Sequence, residues 1–173
     1  INYTLGQYYT LLNAGFALVP TAGTANGVHP VPAGFSRVYV HLPKGFSYAA
    51  WIEGLKKGRS FVTTGPMLFA KANGQLPGAK LVLGKDGGEL NVTGEVISEN
   101  RITNLEFIVN GRPVKYLRGR KPAPEGVHQL SFSATLPMKT SGWVCIRCFE
   151  ERPDGRLRFA HTAPWRVDVP GKP

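Results

Sequence analysis

Turn-forming residues interrupt this chain at short, regular intervals after Pro66, and this punctuation limits the fold more than any other feature. Asn73-Gly74, Asn110-Gly111 and Pro153-Asp154-Gly155 are typical hairpin turns. The runs between the turns are rich in β-branched residues and do not have the period of a helix. They predict strands at 67–72, 79–83, 89–97, 102–109, 127–136, 142–150, 157–161 and 165–169. We therefore expect an all-β, immunoglobulin-like sandwich over residues 66–173.

Residues 1–65 have a different texture, in which helical and strand patterns alternate. The pattern predicts a helix at 7–13, strands at 16–21 and 36–42, a second helix that Ser47 caps, and a strand at 60–64. This order is typical of an α/β segment, but it is too short to close a barrel. The whole chain is thus expected to be α+β, with a domain boundary between residues 65 and 66.

The chain is basic, with 21 Lys and Arg against 11 Asp and Glu and a formal net charge of +10. Such a charge favours anionic ligands. The densest basic stretch, residues 112–121, follows the Asn110-Gly111 turn and is expected to be a solvated hairpin loop. Tyr116 is the one aromatic residue within it, so nucleic acid is not the expected partner.

The beginning of the chain and its hydropathy indicate what kind of polypeptide this is. It starts at Ile1 without a basic and apolar leader, so we expect a fragment or a mature form. No apolar run approaches the roughly 20 residues that a transmembrane helix needs, so no membrane span is expected. These features leave the compartment unassigned.

Cys145 and Cys148 are the two cysteines, and both fall within the strand-like run WVCIRCFE. Residues three apart in a strand point to opposite faces, which disfavours a disulfide or a shared metal ion. We expect two ordinary strand thiols.

The loop TAGTANGVHPVP at 21–32 resembles the edge of a metal site that lacks its carboxylate. Ala25 and Asn26 occupy positions where an acid would bind a divalent cation. His29 is the one strong ligand type in the loop and is a candidate metal ligand or substrate contact, the alternative being a role in loop packing. Asn26 is a weaker candidate ligand through its carbonyl, and loop asparagines more often serve turns.

Three further residues are candidates for a site or an interface. Arg37 begins a strand just after this loop, where a guanidinium would hold an anionic group or form a structural salt bridge. His161 and Thr162 lie in the motif AHTAP near the last strands. For His161 we expect a structural or interface role, either across a turn or against the α/β segment.

Several motifs taken together resemble a known family. They are YYTLLNAGF, VPTAGTANGVHPVP, SRVYVHL, WIEGLKKGRSFVTTGPML, VNGRPV, SGWVCIR and AHTAP. In this order they resemble the C-terminal part of CehA/McbA-type hydrolases, a branch of the polymerase and histidinol phosphatase (PHP) superfamily.

The resemblance implies a fold and a chemistry. It implies a distorted (β/α)7 barrel that holds two or three divalent metals, such as zinc, manganese or iron, and hydrolyses phosphoesters, esters or amides. Residues 1–65 would be the last elements of that barrel, and most metal ligands would lie upstream. Ala25 stands where metal-active members typically have Asp, which marks either a pseudoenzyme or a branch that draws its ligands from elsewhere. The chain alone is then expected to hold no metal tightly and to be inactive.

Two functional hypotheses follow. In the first, the chain is the C-terminal portion of a PHP-type hydrolase, and the upstream barrel or another copy of the chain covers the apolar surface of residues 1–65. In the second, the sandwich is a non-catalytic module that binds an anionic glycan, a phosphorylated ligand or a partner protein. An independent metal-free enzyme is disfavoured, because the sequence has no G-x-S-x-G elbow.

Overall fold

The computed structural model describes residues 2–25, 27–28, 30–119 and 126–172, and it is mostly β. Two helices lie in the first third of the chain, α1 (Asn2–Asn13) and α2 (Tyr48–Lys56). Eleven strands are present in the described ranges: β1 (Arg37–Val40), β2 (Ser60–Thr63), β3 (Met67–Ala72), β4 (Lys80–Val82), β5 (Gly88–Ser98), β6 (Arg101–Val109), β7 (Arg112–Leu117), β8 (His128–Met138), β9 (Gly142–Glu151), β10 (Leu157–Thr162) and β11 (Trp165–Asp168).

The strands form two sheets, and the predicted β-sandwich is confirmed at this level. The smaller sheet has the order β3-β5-β8. In the larger sheet, β9 is central: one of its edges pairs with β6, which continues to β7, and the other pairs with β10 and β11. From β10 the larger sheet continues to β2 and β1, and from β11 to β4.

The main core fills the space between the two sheets. Alternate residues of β8 point into it, from Phe132 to Met138, and the intervening residues face water. The larger sheet contributes Phe107 and Trp165, which are both fully buried. Burying side chains of this size contributes about 1.5–3 kcal/mol each, so this core is the main source of stability.

Strands β6 and β9 are buried on both faces because α1 covers the outer face of the larger sheet. Tyr9 and Leu12 of α1 pack against Ile108, Trp143 and Cys145 in a second apolar cluster. Cys148, three residues further along β9, belongs instead to the main core. The predicted opposite orientation of the two thiols is confirmed, and both cysteines are free.

The cap predicted for α2 is confirmed. The Ser47 side chain accepts a hydrogen bond from the Ala50 amide at 3.2 Å, which satisfies one of the free donors at the helix start. Gly54 is the buried residue of α2, and a Cβ there would lie 2.5 Å from a Val40 methyl carbon. The helix therefore lies close against β1.

Two sequence predictions were wrong. Residues 16–21 form no strand, because side chains take the place of strand partners: Arg166 donates to the Phe16 carbonyl and Tyr8 to the Leu18 carbonyl. Residues 112–117 are strand β7 rather than a loop. The positive φ angles of Asn110 and Gly111 make the two-residue turn that pairs β7 with β6.

Residues before 66 contribute strands to the sandwich. Thr63 of β2 pairs with Ala160 of β10, and β1 extends the same sheet. The position predicted for a domain boundary thus falls next to a strand of a continuous sheet.

Candidate anion-binding groove

A groove lies between the C-terminal end of α2, the loop after β3 and strand β11. Its cavity volume is about 690 Å³. Five cationic side chains line it, Lys56, Lys57, Arg59, Lys71 and Arg166, and we call it the cationic groove. Among the described residues that line it, none is acidic.

Two glycines bring the walls of the cationic groove together. A Cβ on Gly78 would lie 1.8 Å from the Lys57 carbonyl oxygen, and a Cβ on Gly58 would lie 3.0 Å from the Gly78 Cα. Both glycines have positive φ angles, 69° for Gly58 and 84° for Gly78, which residues with a side chain rarely adopt. The end of α2 therefore contacts the loop after β3 through backbone alone.

Four of the five cations of the cationic groove form no salt bridge with a described acid, although, besides the hydrogen bond from Lys57, the charge of Arg59 helps to lower the pKa of the Glu53 carboxyl. Among the described residues, Lys56, Arg59 and Lys71 form no salt bridge. Arg166 Nη2 donates to the Phe16 carbonyl oxygen at 2.7 Å, which fixes the guanidinium without cancelling its charge. Several cations around one concave surface attract anions, because no carboxylate within the groove offsets their positive potential.

Lys57 differs from the other cations of the groove, because its ammonium group forms a salt bridge with Glu53. Its Nζ lies 2.5 Å from Glu53 Oε1 in an i,i+4 pair on α2. The hydrogen bond from Lys57 lowers the pKa of the Glu53 carboxyl below its usual value. Lys57 is therefore not counted among the cations that face the groove.

A second cavity, of about 620 Å³, continues from the cationic groove. We call it the apolar cleft; Tyr39, Phe61 and Phe69 supply its aromatic lining. The Tyr39 and Phe61 rings stack at 5.3 Å, and Phe69 meets Phe61 edge-on at 5.9 Å. Arg59 and Lys71 border both cavities, so the two form one continuous surface.

The candidates from the loop and from β1 lie outside this surface or outside the described residues. His29 and Asn26 are among the residues that the structure does not describe. Arg37 is exposed, and its guanidinium carbon lies 6.0 Å from the centroid of the Tyr39 ring. In the described part of the chain it forms no salt bridge and lines neither cavity.

His161 and Thr162 are buried where α1 meets the larger sheet. His161 Nδ1 donates to the Thr162 carbonyl oxygen at 2.6 Å, so Nε2 is the acceptor for the Tyr9 hydroxyl at 2.8 Å. The Cys145 sulfur lies 3.4 Å from the same nitrogen. The Thr162 hydroxyl accepts from the Ile146 amide at 3.1 Å.

The buried cluster of Tyr9, Cys145 and His161 has the properties of a structural contact rather than a catalytic site. Burial lowers the pKa of His161 to about 4, which leaves the imidazole neutral at pH 7. Burial also raises the pKa of the Cys145 thiol far above its usual value. A neutral thiol that is fully buried is a poor nucleophile, so the short Cys-His distance does not by itself indicate catalysis.

The described residues do not fit a divalent metal site. Within them, no group of three or more His, Cys, Asp or Glu side chains is close enough to hold an ion. His41, His128 and His161 lie on different elements, next to α2, at the start of β8 and in β10. We derive no step through a metal from them.

The sequence did not indicate that the cations of the cationic groove lie close together. Lys56 and Arg59 were visible as a basic end of α2. Lys71 and Arg166 carry no local signal, because they reach the groove from β3 and β11. The alternation of β3 turns Phe69 and Lys71 outward, so it could have shown that both are exposed but not that Lys71 reaches the groove.

Comparisons with known proteins leave this geometry to be interpreted by itself. No family model, curated protein or solved structure matches the chain. Neither of the helices in the described ranges is long and apolar enough to cross a membrane.

Proposed function

We propose that this chain binds a small anionic ligand, of the phosphorylated kind, in the cationic groove. The observation that carries the proposal is the convergence of Lys56, Arg59, Lys71 and Arg166 on one cavity, with no salt bridge among them to any described acid. A phosphoryl group suits this arrangement, since its oxygens accept hydrogen bonds from several cations at once.

The test is calorimetric titration with inorganic phosphate and pyrophosphate, for the wild type and for Lys71→Gln. Lys115→Gln is the matched control, because Lys115 is exposed on β7 and removes the same charge away from the groove. We expect Lys71→Gln to weaken pyrophosphate binding about tenfold and Lys115→Gln to leave it unchanged.

Two outcomes would overturn this proposal. One is the absence of binding at low salt. The other is an equal loss in both variants, which would mean that the net charge attracts anions without a specific site.

We also infer a wider context, in which the chain is the C-terminal portion of a PHP-type hydrolase that acts on phosphoesters, esters or amides with a divalent metal. In this proposal residues 1–65 are the last elements of the barrel, and the sandwich is immunoglobulin-like. Two sheets packed face to face, antiparallel except for the parallel pair of β4 and β11, support the second part.

The observation that favours the hydrolase context is an uneven distribution of exposed apolar side chains. Among the described residues, six of the twelve large exposed hydrophobic side chains precede residue 49: Leu11, Phe16, Leu18, Val28, Phe46 and Tyr48. Where such side chains lie together in one patch, they are typical of a contact with further protein. We propose that the upstream part of the same barrel, or another copy of the chain, covers them.

The coding sequence that surrounds this chain tests the hydrolase context. We expect His- and Asp-rich strands of a barrel immediately upstream, and metal bound by the longer protein but not by this chain after exposure to zinc and manganese. A stoichiometric metal ion in this chain alone, measured by elemental mass spectrometry, would contradict the proposal that most metal ligands lie upstream. An unrelated upstream sequence would contradict the hydrolase itself.

A further inference from the structure

The aromatic residues of the apolar cleft and the cations of the cationic groove are arranged as two matching pairs. Phe69 and Lys71 are two residues apart on β3, and Arg59, which immediately precedes β2, is two residues from Phe61 within that strand. Side chains two apart in an extended chain lie on the same face. Each wall of the combined surface therefore has a cation at one end and an aromatic ring at the other.

Phe69 is an aromatic side chain on the outward-facing side of β3. It is 43% exposed, whereas Leu68 and Ala70 on either side of it are buried in the sandwich core. Its ring meets Phe61 edge-on, and Phe61, which is 8% exposed, lines the same cleft. A flat aromatic group entering the apolar cleft would therefore contact the Phe69 ring and the accessible part of Phe61.

The charge of Glu95 beside Phe69 limits where the anionic part of a ligand can lie in the apolar cleft. Glu95 lies opposite Phe69 in the strand pairing and lines the cleft. Its carboxylate accepts a hydrogen bond from Gln129 at 2.7 Å. No cation forms a salt bridge with it in the described part of the chain. This negative charge repels a second anionic group, so a ligand would have its phosphoryl group at the Arg59 and Lys71 end only.

We propose that the ligand is an aryl phosphate, with its phosphoryl group between Arg59 and Lys71 and its aromatic ring against Phe61 and Phe69. This inference rests on the proposed function and adds the chemical class of the ligand's uncharged part, an aromatic ring. The ring gains contact area and stacking that inorganic phosphate does not have. The gain is carried by residues that do not touch the phosphoryl group.

The test compares phenyl phosphate, inorganic phosphate and phenol by calorimetric titration of the chain. We expect phenyl phosphate to bind at least about tenfold more tightly than inorganic phosphate, and phenol alone to bind weakly. Phe69→Thr should remove most of that advantage and leave the affinity for inorganic phosphate unchanged. Threonine suits an exposed strand position, so this variant is expected to fold.

Tyr116→Thr is the matched control, because Tyr116 is an exposed aromatic residue on β7 that lines neither cavity. It should bind all three probes as the wild type does. Equal affinities for phenyl phosphate and inorganic phosphate would overturn the aryl-phosphate inference and leave the anion site standing. Failure of both phosphates to bind would overturn the proposed function together with it.

Discussion

The Tyr9 hydroxyl donates to His161 Nε2 across 2.8 Å and joins α1 to β10, elements that are 152 residues apart in sequence. Both side chains are buried, and the Tyr9 ring also lies 5.1 Å from the Trp143 ring. Together with the packing of Leu12 and the hydrogen bond from Trp143 Nε1 to Asn13 Oδ1 at 2.8 Å, this contact holds α1 against the outer face of the larger sheet.

Removing that hydroxyl should loosen α1. Tyr9→Phe leaves the ring in place but leaves Nε2 of His161 without its oxygen donor, and we expect a loss of about 1–2 kcal/mol in the free energy of unfolding. Tyr8→Phe is the control, since the Tyr8 hydroxyl donates to the Leu18 carbonyl at an exposed position. Urea unfolding and amide exchange in α1 measure both. Equal effects of the two changes would contradict the special role of the Tyr9 contact.

The protein should lose stability as the pH falls from about 6.5 to about 4. Burial lowers the pKa of His161 to about 4, whereas an unfolded histidine titrates near 6.5. Between these values the unfolded state binds a proton that the folded state does not, so the free energy of unfolding falls with pH, by up to about 3 kcal/mol.

His161→Gln separates this effect from those of other groups. Tyr8 and Tyr9 of α1 face His161, and Arg147, on the same strand as Cys145, also lowers its pKa. The variant should be less stable at pH 7.5 but show a flatter decline between pH 6.5 and 4 in urea titrations. A decline as steep as that of the wild type would assign the pH dependence to other residues.

Strand positions after Pro66 were predictable, because side-chain alternation and turn chemistry act locally. β3 was predicted with both of its ends, and β6, β9 and β11 to within one residue at each end. The Asn110-Gly111 turn predicted a hairpin, but the basic residues after it concealed strand β7, since an exposed strand at a sheet edge has no apolar face.

Other features depend on contacts between distant residues and were not predictable. Residues 16–21 have the composition of a strand, yet their backbone finds side-chain partners instead, one of them Arg166. The cationic groove likewise requires β3 and β11 to meet the end of α2. The roles predicted for His29, Asn26 and Arg37 stay predictions.

Breaking the ion pair between Glu106 and Arg147 should cost more than breaking any surface pair. Arg147 Nη2 lies 2.6 Å from Glu106 Oε2, with side-chain exposures of 13% and 9%. We expect Glu106→Gln to lower the free energy of unfolding by about 3 kcal/mol, because it leaves a cation buried without its counter-ion.

The double variant Glu106→Leu with Arg147→Met should recover much of that loss, since neither charge is then buried alone. Lys57→Gln, which breaks an exposed helix pair, should change the unfolding midpoint very little. Additive losses in the double variant would contradict the coupling.

Two glycine substitutions should change the free energy of unfolding in opposite directions. A Cβ on Gly94 would lie 2.0 Å from the Phe69 carbonyl oxygen and 2.6 Å from the Phe132 ring, so Gly94→Ala should cost at least about 2 kcal/mol. Gly6, inside α1, has nothing within 4 Å of its Cβ position, so Gly6→Ala should gain about 0.5–1 kcal/mol through helix propensity. Thermal melting of both variants checks the pair, and a stabilised Gly94→Ala would show that β3 and β5 are spaced more loosely than this structure has them.

The central position of β9 also has a consequence during synthesis. Its edges are filled by β6, which emerges earlier from the ribosome, and by β10 and β11, which emerge after it. β2 has no partner on its inner side until β10 is made, although it is translated early. The larger sheet is then completed late, and until β10 is made the inner edge of β2 is open to pairing with another nascent chain.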